Sequence, residues 1–348
     1  MKLSDFDYNL PQKFIAQNPV SPRDHSKLMI LDKKQQKIEH KYFYNLPDYL
    51  QPGDVLVLND TKVFPARLIG RRQLTGGRVE VFLLKSVGPS SNQWQALIGN
   101  RRKSVGQIVE FGRGLTGEII ERLDDSVWQI RFNKSGRALE KLIDQLGQVP
   151  TPPYIKIKGQ RSKSKKFQDD YQTVYAKHRG SVAAPTAGFH FTKSLINKLK
   201  SRGVQLEFVT LHVGWGTFAP VKSQNVKNHQ LHSEFASLNK KTAQRLNQAK
   251  KQGRRIIAVG TTATRVLETF SSKQGAVQAN SAEVKVFIYP GYKFKFLDAL
   301  ITNFHLPKST LLMLVAALVG RKKILRAYQI AQQKSYRFFS FGDGMLII

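Results

Sequence analysis

The sequence predicts an α/β main domain with an inserted antiparallel β-barrel-like domain, and three observations carry that reading. Short alternating apolar runs follow one another at even spacing between Ala66 and Phe132, the pattern of a small antiparallel barrel. From about Thr192 onward the period changes, and helical stretches alternate with short β-branched runs, which marks a layered α/β unit. The N-terminal stretch carries a strand of its own yet is too short to close a core, so it must share that of the C-terminal part. The expected division is 1–64 with 150–348 as a discontinuous α/β catalytic domain and 65–149 as the inserted β-rich domain. A length of 348 residues is beyond what one core usually serves.

In chain order, Asp54-Val-Leu-Val-Leu58 follows the Pro52-Gly53 turn as the first central strand. Within the insert, Arg67 to Ile69, Val79 to Leu84, Trp94 to Ile98, Gln107 to Phe111, Gly117 to Ile120 and Ser126 to Phe132 read as strands, with Gly76-Gly77 and Asp124-Asp125 as hairpin turns. Thr192 caps a helix on which Leu195, Ile196 and Leu199 share a face; Gly203 ends it, and Val204 to Val213 follows as a strand. A second unit runs from a basic helix around Lys240 to Lys251, through the strand Arg255 to Val259, into a helix from Thr264 to Phe270. Leu311 to Val319 is the longest apolar stretch suited to a membrane, but it is about half the length a bilayer requires. No apolar run follows Met1, so no signal peptide is expected.

The formal charge is +32, from 56 Lys and Arg against 24 Asp and Glu, far beyond what solubility needs. A polyanionic partner, nucleic acid first, is what such a surplus implies, because neutralising phosphates releases counterions. Proteome-wide basicity would produce the same number. The chain has no Cys, which removes disulfides and thiolate metal sites and fits a reducing compartment.

Three strings of small residues carry histidine: Ala184-Pro-Thr-Ala-Gly-Phe-His190-Phe, Leu211-His-Val-Gly-Trp-Gly-Thr217 and Thr302-Asn-Phe-His305-Leu-Pro-Lys-Ser-Thr310. Glycine lets the backbone approach a ligand closely, and histidine titrates near neutrality. His190, His212 and His305 are therefore candidate catalytic groups, with Thr186, Gly188, Gly214 and Gly216 as substrate contacts; a histidine in such a loop serves equally well to hydrogen-bond the loop itself. Gly260-Thr261-Thr262 follows a strand and precedes a helix, a place for a carboxylate, ribose hydroxyl or phosphate. Arg265 lies one turn inside that helix and suits a carboxylate or a phosphate. Asp60 stands at the carboxyl end of a strand, a favoured ligand position. Tyr175, Tyr289 and Tyr292 are of the type that stacks on bases, although packing explains aromatic residues as often. Phosphate contacts are expected from Lys156, Lys158, Lys163, Lys165, Lys166 and Arg179, and from a second patch with Lys250, Lys251 and Arg254.

Together with Asp5-Phe-Asp-Tyr8, Leu58-Asn-Asp-Thr-Lys-Val63, Pro65-Ala-Arg67, Pro152-Pro-Tyr-Ile155, Tyr171-Gln-Thr-Val-Tyr175, Phe287-Ile-Tyr-Pro-Gly-Tyr292 and Tyr336-Arg-Phe-Phe339, these strings give the chain its resemblance to a known family. It resembles, over nearly its full length, the S-adenosylmethionine:tRNA ribosyltransferase-isomerase family of queuosine biosynthesis. The resemblance implies a transferase that moves and isomerises the ribosyl moiety of S-adenosylmethionine onto 7-aminomethyl-7-deazaguanine at the tRNA wobble position. Epoxyqueuosine-tRNA, adenine and methionine would be its products. It also implies a cytoplasmic, monomeric, RNA-binding protein whose partner is the anticodon arm carrying that base, with no membrane and no metal. S-adenosylmethionine would be consumed as ribosyl donor, with no further cofactor. Such chemistry needs a base for the proton beside the sulfonium, and His190 is the first choice because its small-residue loop leads into the Thr192 helix start. Two departures stand out: Trp215 between two glycines, and Glu283-Val284 where a Thr-Asp pair is usual.

Two rival readings come from the residues. His229-Gln-Leu-His232-Ser-Glu234 would hold zinc if helical, as in a metal-dependent nuclease. A non-catalytic RNA-binding protein would use the basic surface and leave the histidine loops without a task. A methyltransferase finds little support, since no Gly-x-Gly loop follows an early strand.

Overall fold

Lys27–Leu31 (β1) and Ile38–Tyr42 (β2) pair antiparallel, and Val55–Asn59 (β3) is buried along its whole length. A strand covered on both faces reads as a continuous apolar run, which is why Val55-Leu-Val-Leu58 has no polar alternation. After Asp60, Thr61–Val63 (β4) leads into the insert. The computed structural model describes residues 1–348 apart from 36, 89–90, 100–102, 153, 157–163, 219–222, 230 and 232.

The insert is a closed antiparallel barrel. Its strands are Arg67–Arg72 (β5), Arg78–Ser86 (β6), Gln93–Ile98 (β7), Ile108–Gly112 (β8), Leu115–Arg122 (β9) and Val127–Phe132 (β10), in the order β10-β7-β6-β5-β8-β9. Alternation does the work: Val79, Val81 and Leu83 of one strand and Trp128, Ile130 and Phe132 of another share the interior. Gly70 belongs there because a Cβ would stand 2.6 Å from the Val109 side chain. Gly136–Leu146 (α1) then packs Leu139 and Ile143 into the same core. The chain enters and leaves through a paired neck, in which Arg67 N–H donates to the Gln148 carbonyl at 3.1 Å and Gln148 N–H returns to Arg67 at 2.9 Å.

Beyond the neck come Lys165–Asp170 (α2), His178–Ser181 (β11) and Lys193–Ser201 (α3). The Thr192 hydroxyl oxygen accepts the Leu195 N–H, so the expected cap is present. Gln205–Leu211 (β12), Glu234–Leu238 (β13), Lys240–Lys251 (α4), Ile256–Val259 (β14), Gly260–Phe270 (α5), Asn280–Val284 (β15) and Ala299–Asn303 (β16) follow. Thr310–Val319 (α6), Arg321–Gln333 (α7) and Gly344–Ile347 (β17) complete the chain. Nine strands make one mixed sheet in the order β15-β13-β12-β3-β14-β16-β17-β1-β2. Its centre, β12-β3-β14-β16, is parallel, and β17 runs antiparallel to β16 but parallel to β1. Strand β11 pairs with β4 outside this sheet.

One expected boundary is corrected. Helix α5 begins at Gly260 and not at Thr264, because Gly260 at φ +89° turns the chain straight from β14 into the helix. Gly260-Thr-Thr262 is thus its first turn and not a loop ahead of it. Among the described residues no helix is long and apolar enough to cross a membrane.

The neck tolerates no side chain at Gly147, whose Cβ would lie 2.0 Å from the Pro65 carbonyl oxygen. Gly147→Ala is expected to cost about 3 kcal/mol through forced backbone displacement. Urea unfolding followed by the fluorescence of Trp94 and Trp128, both in the barrel, reads this out; an unchanged midpoint would contradict it.

Candidate active site

Because β3, β12, β14 and β16 are parallel, their carboxyl ends share one edge of the sheet. That edge receives Asp60 from β3, His212 and Gly214 from β12, Gly260 to Thr262 from β14, and His305 just beyond β16, as expected for ligand sites in open α/β sheets. The reversed β17 and its neighbour β1 bring Asp343 and Ser26 to the same edge from their amino ends.

At the centre of this edge is a cavity of about 380 Å³. Ala184 to Ala187, Gly260 to Thr262, Thr302, Asn303 and His305 to Leu311 line it, with Tyr154, Phe339 and Ser340 at its sides. Helices α5 and α6 both begin there. Val259 gives α5 no side-chain cap, so its first N–H groups are left for a ligand, whereas Ser309 caps α6 through the Leu312 N–H at 3.2 Å. The imidazole of His305 is held firmly: its backbone N–H donates to the Tyr328 hydroxyl at 2.9 Å, its carbonyl accepts from Tyr8, and Nε2 lies 2.8 Å from Thr302 Oγ1. Nδ1 is left without a hydrogen-bond partner among the described residues. Burial lowers the pKa of this ring to about 3, so it is neutral near pH 7.

Thr186, Gly260, Thr261, Thr262 and His305 are thus brought together, while the other expected residues are not. His190 sits behind the cavity wall and is 2% exposed. Its Nδ1 is 2.7 Å from Ser26 Oγ, its ring stacks on Phe43 at 4.7 Å, and burial lowers its pKa to about 3, against which the adjoining Asn303 side chain works. Asp60 and His212 occupy a separate cleft with Lys177, His178 and Phe235. Burial raises the Asp60 carboxyl, which accepts from Thr210 at 2.7 Å, and lowers His212 to about 4, with Nδ1 on Thr61 Oγ1 at 2.8 Å.

Gly216 and Arg265 line a small pocket that shares Thr310 and Leu311 with the central cavity. Arg265 donates to Glu234, whose other oxygen accepts the Gly214 N–H at 2.9 Å, so this arginine fixes the glycine loop. Gly188 is small because Tyr175 packs on it, the phenol oxygen lying 2.0 Å from where a Cβ would be. Tyr292 donates to Glu268 at 3.1 Å, and Tyr289 packs on Phe287 at 5.1 Å. Gly216 falls in the short turn Trp215–Phe218, where Trp215 is 41% exposed, and Glu283 pairs with Lys85 at 3.3 Å. Asn303, Thr302 and Ser340 escaped the sequence reading, although the first two stand in the string that carries His305.

Lys158 and Lys163 lie outside the described residues, while Lys156, Lys165 and Lys166 are exposed. Helix α2 is anchored by Tyr171 against Phe189 and Phe341, near the site. Arg179 bonds Asp144 of α1 at 2.5 Å. In the second patch Lys250 binds Asp298 at 2.6 Å and Arg254 binds Gln205 at 2.8 Å; with Lys251 they sit at the amino edge of the sheet, opposite the cavity. The zinc reading needs correction: His232 lies outside the described residues, residues 229, 231 and 233 are not helical, and Glu234 opens β13 with its carboxylate on Arg265.

The family model described as "Queuosine biosynthesis protein" matches residues 3–347. The chain is 51% identical to the S-adenosylmethionine:tRNA ribosyltransferase-isomerase of Thermoanaerobacter sp. (strain X514) and 49% identical to that of Clostridioides difficile (strain 630), each over the full length of both chains. It is also similar to the crystal structure of S-adenosylmethionine tRNA ribosyltransferase from Thermotoga maritima, with a TM-score of 0.55 and 36% identity over 99% of this chain and 100% of that one.

Between their lowered values of about 3 and the ordinary histidine value near 6.5, His190 and His305 are neutral when folded while the unfolded chain takes up protons. Stability contributed by these rings is therefore lost as pH falls below about 6.5, by up to about 1.4 kcal/mol per pH unit for each. Imidazole ¹⁵N shifts should show both rings neutral at pH 5; protonation above that pH would contradict the burial argument.

Proposed function

This chain belongs to the queuosine-biosynthesis family of S-adenosylmethionine:tRNA ribosyltransferase-isomerases, and from that premise we propose the reaction it carries out and the residues that serve it. As a member it is a transferase of tRNA modification. The specific reaction we propose is transfer and isomerisation of the ribosyl moiety of S-adenosylmethionine onto the aminomethyl group of 7-aminomethyl-7-deazaguanine at the wobble position. The products are epoxyqueuosine-tRNA, adenine and methionine.

The central cavity is the proposed donor site. Its volume of about 380 Å³ falls in the range of small-molecule pockets, and its walls are mostly apolar with several hydroxyls. Two helix amino termini open into it, and the uncapped one, that of α5, suits the methionine carboxylate. The observation that carries the reading is His305, a neutral imidazole in the cavity wall with one ring nitrogen clear of protein partners. We assign its Nδ1 to accept the proton beside the sulfonium, in the tautomer whose Nε2–H donates to Thr302 Oγ1. Loss of that proton starts the rearrangement, adenine departs from the ribosyl group as the bond to the aminomethyl nitrogen is made, and an alkoxide finally displaces methionine. His190, behind the wall, gives up the proton-transfer role expected for it.

The paired neck supports taking 65–149 as the inserted domain and 1–64 with 150–348 as the catalytic one. For tRNA we take Lys165 and Lys166, exposed at the start of α2, as phosphate contacts in preference to Lys250 and Lys251 at the amino edge of the sheet. A non-catalytic RNA-binding role would leave the cavity without use.

Incubation with S-adenosylmethionine and tRNA carrying the aminomethyl-deazaguanine base tests the reaction by mass spectrometry of nucleosides and small products; S-adenosylhomocysteine with a methylated nucleoside would overturn it. His305→Ala is expected to slow single-turnover transfer by roughly 10²-fold or more while tRNA affinity holds, the scale of a lost acid–base group. A loss confined to affinity would remove the proton-transfer role. The double variant Lys165→Ala, Lys166→Ala should weaken tRNA binding and flatten its salt dependence by roughly one to two units of slope. Lys250→Ala, Lys251→Ala should leave both unchanged; equal effects from the two pairs would argue against the assigned edge.

A further inference from the structure

We propose that Tyr42 and Tyr44, together with His25, form a stacking platform for an unpaired base of the tRNA, on the same edge of the sheet as the central cavity; this rests on taking tRNA as the acceptor substrate. Strand β2 ends at Tyr42, and the chain runs on through Phe43 and Tyr44 into a short helical turn. The three side chains alternate. Phe43 is fully buried, stacked on His190 at 4.7 Å and set edge-on to Phe191 at 5.1 Å, while Tyr42 is 44% and Tyr44 39% exposed. One buried ring thus pins two exposed ones. Tyr42 and Tyr44 lie ring on ring, with centroids 5.4 Å apart and planes 10° from parallel, and the exposed ring of His25 meets Tyr44 at 5.1 Å. Single apolar side chains at a surface are ordinary, whereas contiguous rings form a patch of the kind that marks an interaction site.

The platform is held from beneath and from both sides. Phe43 N–H donates to the Ser26 carbonyl at 2.8 Å, and Tyr42 N–H donates to Asn45 Oδ1 at 3.2 Å. Arg23 ties the turn that carries His25 to the end of α2, donating to the Asp169 and Gln172 carbonyls at 2.6 Å each. Rings ordered beforehand lose little freedom when a ligand settles on them. Their place follows from strand register. Tyr42 pairs with Lys27 at the start of β1, so it stands at the edge where Ser26 and Asp343 arrive. Three strand spacings, about 14 Å, separate β2 from β16, a span that a few nucleotides of one RNA strand can cover.

Charge selects the occupant. Burial and the ammonium groups of Lys334 and Lys27 lower the pKa of His40, two residues before Tyr42, so positive charge gathers beside the rings. The carboxylates of the same segments are engaged: Asp24 accepts from Thr192 at 2.8 Å and lies 3.2 Å from His25, Glu39 pairs with Lys37 at 3.0 Å, and Asp48 pairs with Arg202 at 3.0 Å. Rings flanked by ammonium groups complement a nucleotide, whose base offers a π-face and whose phosphate carries the opposite charge. A paired RNA helix keeps its bases stacked on one another and presents no open face. The occupant is therefore an unpaired nucleotide, such as the loop of the anticodon arm supplies.

Titration with an anticodon stem-loop and with a duplex of the same stem lacking unpaired nucleotides tests the proposal. The double variant Tyr42→Ala, Tyr44→Ala should bind the stem-loop roughly tenfold or more weakly, the scale of a lost base–aromatic stack. Its affinity for the duplex and the salt slope for both RNAs should hold, because no phosphate contact is removed. Tyr42→Phe, Tyr44→Phe should bind as the wild type does, since the ring stacks and the hydroxyl does not. Unchanged stem-loop affinity in the Ala variant, or an equal loss for stem-loop and duplex, would overturn the proposal. So would a wild-type dimer in sedimentation that the Ala variant abolishes, for the rings would then cover a second copy of the chain. Ultraviolet irradiation of the wild-type complex needs no variant: loop nucleotides should crosslink to the peptide holding Tyr42 and Tyr44, and crosslinks confined to other segments would contradict the placement. If the wild type binds neither RNA, the tRNA reading itself fails and the platform with it, an outcome distinct from loss of the platform alone.

Discussion

Asn59 ties the two central strands together where they end. It is fully buried, and its side-chain amide donates to the Leu211 carbonyl at 3.0 Å and accepts the Leu211 N–H at 3.0 Å, so a side chain of β3 continues the ladder to β12 past its last backbone pair. The same oxygen accepts the Thr61 N–H at 3.2 Å, which turns the chain into β4. Everything functional at this edge depends on that register. A slip of one residue would exchange the faces of Asp60, Thr61, His212 and Val213, sending His212 toward the central cavity and Val213 out of it.

Local physics was legible in the sequence and tertiary choice was not. The barrel strands could be read because alternation and turn chemistry act within a few residues, and the Thr192 cap because its bond spans three. The strands β1, β2, β4, β11, β13, β15, β16 and β17 escaped. Gly344–Ile347 is a four-residue strand buried between β16 and β1, and nothing in so short an apolar run tells a strand from the end of a loop. The histidines show the same divide. His190, His212 and His305 stand in similar glycine-bearing strings, yet one faces the cavity, one lies behind it and one faces another cleft, according to which strand each follows. The string around His305 revealed the right segment but not that Asn303 contributes to the same wall.

Charge shows a related separation. The surplus of +32 was read as contact surface, but several of its members are internal fastenings. Arg245 grips Glu207 at 2.5 Å, Arg255 grips Asp54, and Arg265 holds Glu234. A pair with one buried carboxylate is a structural element that composition counts as if it were free. The lysines at the start of α2, by contrast, remain exposed at the surface.

The neck between Arg67 and Gln148 has a mechanical meaning. Two chain crossings zipped by a pair of backbone hydrogen bonds resist twisting in a way that a single linker does not. Two lateral struts, Arg179 to Asp144 and Lys85 to Glu283, brace the barrel against the sheet domain at separate points. With the neck, these pairs join the barrel to the sheet domain at three places. A long, stiff polyanion lying across both would find its second contact already in place, at an effective concentration set by geometry and with little interdomain freedom left to lose on association.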